Sequence, residues 1–106
     1  MSSVAASAGY AIAMGADHII ARDATITGSI GVFLMFPTFS RSLDELGIAT
    51  DGVGTTPWAG EFRLDRALGD DSRQFLQNLV DSEYDDFVEL VAVYRELEVP
   101  AVDDIA

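Results

Sequence analysis

Ser7 lies in the run Met1-Ser2-Ser3-Val4-Ala5-Ala6-Ser7-Ala8-Gly9-Tyr10, where three serines are set among small side chains. If a tight turn feeds a helix N-terminus here, backbone N–H groups converge on one point. A hydroxyl at that point attacks a carbonyl while the amides of Ala8 and Gly9 hold the developing oxyanion. Small neighbours keep the point open. The same Ala-Ala-Ser-Ala-Gly composition also suits a helix packed tightly against a neighbour, and composition does not separate the two readings.

A serine nucleophile needs a base, either histidine or an unprotonated lysine. The chain has no lysine, and His18 is its only histidine. A lone histidine at the start of an expected strand is more often a surface or satisfied core residue than a member of a triad. Asp44, Glu45, Asp81, Glu83, Asp85, Asp86 and Glu89 read as solvated helix faces. No His/Asp cluster has ligand spacing, so neither a metal nor another cofactor is expected.

The elements that must position Ser7 are read from periodicity. Val4 to Met14 reads as a buried, Ala-rich helix closed by Gly15. His18 to Ala21 reads as a short buried strand and Thr25 to Thr27 as a second extended piece, followed by a turn over Gly28, Ser29, Ile30 and Gly31. Glycine at both ends of that turn implies a backbone that bends or approaches something closely. Val32 to Phe36 reads as an apolar strand. Thr38 to Leu46 reads as a short helix with Phe39, Leu43 and Leu46 on one face and Gly47 just past its end, and a strand is expected over Ile48 to Val53. Gly54 to Gly69 shows no sustained period and reads as a long loop. From Asp70 to Leu97 apolar residues recur at helical spacing, with acids at the start and Arg95 near the end. Such a helix would run about 40 Å, more than so small a core can cover, so part of its apolar face is expected to meet another domain or subunit. Pro100 opens a last short helix.

The 106 residues, 49% hydrophobic, suit one modest core rather than several domains. Without cysteine there is no disulfide or thiolate metal site. A net charge of −12, from eighteen acids against six arginines, argues against nucleic acid as a partner, since phosphate binding rests on cationic contacts. No apolar run approaches the roughly 18 residues of a spanning helix. A secretory leader over Val4 to Ala16 would lack its positively charged start.

Two motifs in order, Ala5-Ala6-Ser7-Ala8-Gly9-Tyr10 and Thr27-Gly28-Ser29-Ile30-Gly31-Val32-Phe33, resemble the catalytic-serine region of the signal peptide peptidase A family, also called protease IV. The resemblance continues through Ser42 to Gly47, Thr50 to Val53, Arg66 to Leu68 and the long helix. It implies an α/β fold of the crotonase/Clp-protease-like kind, incomplete here, with short strands and a long amphipathic C-terminal helix. It also implies a ring- or dome-forming homo-oligomer that is membrane-associated, with its catalytic region on the extracytoplasmic side. The implied activity is a Ser–Lys dyad cleaving hydrophobic peptides such as remnant signal peptides. Ser7 falls on the nucleophile, and the turn Gly28, Ser29, Ile30 and Gly31 is expected to border the substrate pocket.

The chain departs from the family pattern by having Ser2 and Ala8 where glycine is usual; neither change removes a backbone N–H. In single-domain members the lysine lies in the loop corresponding to Thr55–Glu61, which here offers Thr55, Thr56, Trp58 and Glu61. In the long, duplicated members it comes from an N-terminal half. Residues 1–106 are therefore expected to be one partial domain, the nucleophile-bearing later part of such a protein. They are expected to lack the strand before the serine and the closing segment, and to take their base from the missing half or a neighbouring subunit. Two other readings stay open: a non-catalytic assembly module, and a serine hydrolase with a weakened elbow Ala5-x-Ser7-x-Gly9. The second requires a strand before Ser7 and a later acid and histidine, and no histidine follows His18.

Overall fold

Two three-residue strands, β1 (Val4–Ala6) and β2 (Ile26–Gly28), pair in parallel in a computed structural model that describes residues 1–106. A parallel pair cannot be closed by a tight turn and needs a crossover, here carried by helix α1 (Ala8–Ala13) and the segment after it. Register places Val4 opposite Ile26, Ala5 opposite Thr27 and Ala6 opposite Gly28. Thr27 Oγ1 donates to Ala5 O at 2.9 Å, and Thr25 Oγ1 donates to Ser2 O at 2.7 Å. Helices α2 (Ser40–Glu45), α3 (Asp70–Arg95) and α4 (Val99–Asp103) complete the chain. The result is a mixed helix-and-strand structure with a small sheet, in keeping with the expected α/β class.

The chain forms two compact units. The first comprises Met1–Phe33 and Val80–Ala106 and holds the core: Met14, Ile30, Val88, Val91, Ala92 and Val102, with Tyr10, Ala11, Tyr84 and Phe87 packed around it. Val91 is 1% exposed and Val102 0%. From α3 this core takes Val88, Val91 and Ala92, the i, i+3, i+4 stripe that the sequence pattern implies. α3 stops at Arg95 because Glu96 turns to φ 54 and Leu97 N–H bonds Ala92 O at 2.9 Å, closing the helix in a Schellman-type turn.

The second unit, Leu34–Leu79, is tied by edge-to-face rings, with Phe62 against both Phe36 and Phe75, and Trp58 against Phe75 at 6.1 Å. Arg63 grips Asp65 with two bonds of 2.8 and 2.7 Å, holding that carboxyl below the ordinary aspartate range. α2 ends as expected at Gly47, whose φ of 69 lets Gly47 N–H reach Asp44 O and Ile48 N–H reach Leu43 O.

Several expectations are corrected. Val4–Ala6 is a strand, not the first turn of a helix, and the strand expected to be missing before Ser7 is present. The helix cannot run through Ser7, whose φ of 51 breaks it, and Ser7 N–H instead extends the ladder to Gly28 O at 2.8 Å. α1 has no buried residue, so its Ala-rich composition does not mark a buried helix. The strands expected at His18–Ala21, Val32–Phe36 and Ile48–Val53 carry no ladder. A strand is defined by its partner, and apolar runs alone supply none. No helix is long and apolar enough to cross a membrane.

Candidate active site

β1 delivers the chain to Ser7 and α1 carries it away, so Ser7 occupies a strand-to-helix turn with φ 51 and ψ −121. L-residues rarely hold positive φ, because Cβ crowds the backbone, and such strain persists only where the surroundings impose it. They do so here from both sides. Ser7 N–H is bound to Gly28 O on β2, and Ser7 O accepts from Tyr10 and Ala11 N–H at 2.9 Å each. The hydroxyl makes no capping bond to its own helix, which leaves it available for chemistry. The amides of Ala8 and Gly9, in the first turn, have no acceptor within the helix.

Ser7 and Ala8 open onto a cavity of about 450 Å³ whose other walls include Ala11, Met14, Gly31 and Phe33 from the N-terminal segment. Glu83, Asp86, Phe87 and Leu90 of α3 close the far side. Of the turn expected to border a pocket, Gly31 lines this cavity, and a Cβ built there would stand in open space. Ile30 points the other way, into the core at 4% exposure. Gly28 and Ser29 are not in the lining. They hold φ of 74 and 50, and their bend turns the chain from β2 toward Gly31. Gly28 is glycine for the bend and not for space, since nothing lies within 4 Å of its built Cβ.

His18 is exposed and does not line the cavity. In the loop Thr55–Glu61 of the second unit, Glu61 accepts from the buried Ser72 hydroxyl and from Gly69 N–H, and Trp58 meets Phe75 edge to face. No conventional base is provided by these groups. The α3 contribution to the cavity was not legible as a site. Glu83, Asp86, Phe87 and Leu90 read as an ordinary helix face, and only the packing of Val88 and Val91 with Met14, just past α1, brings them to the cavity that Ser7 lines.

The chain matches the sequence profile of peptidase family S49 over residues 1–106. It is 42% identical over its whole length to Protease 4 of Haemophilus influenzae, of which it covers 17%. A putative protease of Synechocystis sp. is 38% identical over 98% of the chain, which covers 38% of that protein. A putative signal peptide peptidase SppA of Enterococcus faecium is 33% identical over 98% of the chain, with 30% of that protein covered. The chain thus spans well under half the length of these relatives.

Proposed function

The chain belongs to peptidase family S49, and from that premise we propose that it is the nucleophile-bearing part of a serine endopeptidase acting on hydrophobic peptides, remnant signal peptides among them, at a membrane. Ser7 attacks the scissile carbonyl, and the amides of Ala8 and Gly9 contribute to the oxyanion hole. A lysine outside residues 1–106, from an N-terminal half or a neighbouring subunit of a homo-oligomer, takes the hydroxyl proton. The cavity at Ser7 receives an apolar side chain against Met14, Phe87 and Leu90. The parallel pairing of β1 and β2 around α1 is in keeping with a partial crotonase/Clp-like domain.

One observation carries this reading: a serine held at positive φ between a strand and a helix, opening onto a cavity. Placed this way, a hydroxyl stands proud of the backbone with amides beside it, the arrangement of a nucleophile elbow. The test is a serine-directed fluorophosphonate applied to the full-length protein. Ser7 is expected to be labelled and Ser2, Ser3 and Ser29 spared; labelling that survives Ser7→Ala unchanged would end the assignment.

The lack of any lysine favours a second reading, a non-catalytic module that only assembles with partners. Full-length protein that is unreactive toward the probe, with no lysine in its remaining sequence, would select it. A histidine-dependent hydrolase has the required strand before Ser7, but His18 does not line the cavity and no histidine follows it within residues 1–106.

A further inference from the structure

The cavity beside Ser7 is not uniformly apolar. Along α3, Glu83, Asp86, Phe87 and Leu90 stand at i, i+3, i+4 and i+7 and share one face. The two acids occupy the N-terminal end of that stripe and the two apolar residues the C-terminal end. Met14 and Ala11 add apolar lining from the N-terminal segment. No arginine lines the cavity, and neither Glu83 nor Asp86 is ion-paired with one of the chain's arginines. The lip therefore presents two carboxylates without an internal counter-ion, beside apolar residues and in the same cavity as the proposed nucleophile.

From this juxtaposition we infer that the site selects peptides carrying a lysine or arginine close to the apolar residue that enters the cavity. The inference rests on the reading of Ser7 above and adds a substrate class to it. A neutral apolar peptide leaves the acidic lip unpaired, and an acidic one is repelled by it. The geometry also fixes the spacing. Glu83 and Leu90 are seven residues apart on a helix, roughly 10 Å at 1.5 Å per residue. An extended peptide advances about 3.3 Å per residue, so the cation belongs within about three residues of the apolar anchor.

The inference is tested on full-length protein bearing Ser7→Ala, so that binding is read without turnover. Fluorescence anisotropy compares three labelled octapeptides of small apolar residues, identical except for Lys, Gln or Glu two positions from a central leucine. The Lys peptide is expected to bind about fivefold more tightly than the Gln peptide at low salt, the order expected of two exposed carboxylates, and the Glu peptide more weakly than either. The preference should collapse in 1 M salt, where the screening length falls to about 3 Å. In Glu83→Gln/Asp86→Asn protein the Lys-to-Gln affinity ratio should fall to about 1, and a ratio does not depend on how much of the variant is folded. Equal binding of the Lys and Gln peptides, or a preference that survives the double substitution, overturns the inference. The charge preference without fluorophosphonate labelling of Ser7 would remove the nucleophile reading and support the binding one. Labelling without charge preference does the reverse.

Discussion

At Ser7 the side chain proposed to do the chemistry is also the one that strains the backbone. A non-glycine residue in so sparsely populated a region costs of order 1–3 kcal/mol, and glycine escapes most of it at an entropic cost of about 0.5–1 kcal/mol. Ser7→Gly in the full-length protein should therefore be more stable than Ser7→Ala by about 1 kcal/mol in urea denaturation, with both variants inactive. Equal midpoints would mean that the φ of 51 is not a strained conformation of this site. A second residue-scale expectation concerns Tyr84, whose hydroxyl donates to the Asp103 carboxylate and links α3 to α4. That bond, with some burial and the nearby charges of Asp103 and Asp85, raises the phenol above its ordinary value of 10.0. The protonated form is the one the fold favours. The contribution is therefore full below pH 10 and is lost as pH rises through the raised value. Measured from pH 8 to 11.5, wild-type stability should fall relative to Tyr84→Phe only at the alkaline end. A constant gap between the two would show that the pair does not contribute.

Among the elements, α3 was the most legible from sequence, because its apolar positions repeat at 3.6 residues over many turns and its ends carry the expected charges. Two of its faces have opposite fates, and a prediction separates them. Val91 is 1% exposed and Val93 is 74% exposed. Val91→Ala should cost about 2 kcal/mol through lost burial and the cavity left behind, while Val93→Ala stays within about 0.5 kcal/mol, both read by chemical denaturation. Matching losses would mean that the exposed stripe is covered in the assembled protein. The short elements were less legible. Val4-Ala5-Ala6 has the composition of a helix and becomes a strand because Ile26-Thr27-Gly28 pairs with it from a distance in sequence that no local period records. At Val32–Phe36 the error runs in the opposite direction: an apolar run reads as a strand, but no partner strand meets it. In the site, Ser7 and Gly31 were legible from their motifs. Glu83 and Asp86 were not, since as a local pattern they are two solvated acids on a helix.

For the molecule as a whole, surface and composition point the same way. Val4 and Ile26, which face each other across the sheet, are 64% and 65% exposed, whereas parallel sheets in proteins are as a rule covered on both faces. The proposed remainder of the protein would cover such apolar surface, and on the proposed mechanism it would also complete the chemistry. At neutral pH a serine hydroxyl is a weak nucleophile until its proton is taken. The six arginines cannot take it, because a guanidinium stays charged and has no free lone pair to accept a proton. The lip carboxylates Glu83 and Asp86 are exposed and make no hydrogen bond to Ser7. His18 is outside the cavity lining, and there is no lysine. Residues 1–106 alone should therefore show no peptidase activity on a small-residue hydrophobic peptide. The full-length protein, or these residues mixed with a segment that carries the lysine, should cleave it, and replacing that lysine by methionine should abolish cleavage while leaving peptide binding to the Ser7 cavity. Turnover by residues 1–106 that disappears on His18→Ala would require His18 to reach Ser7 in solution, and would replace the lysine mechanism with a histidine one.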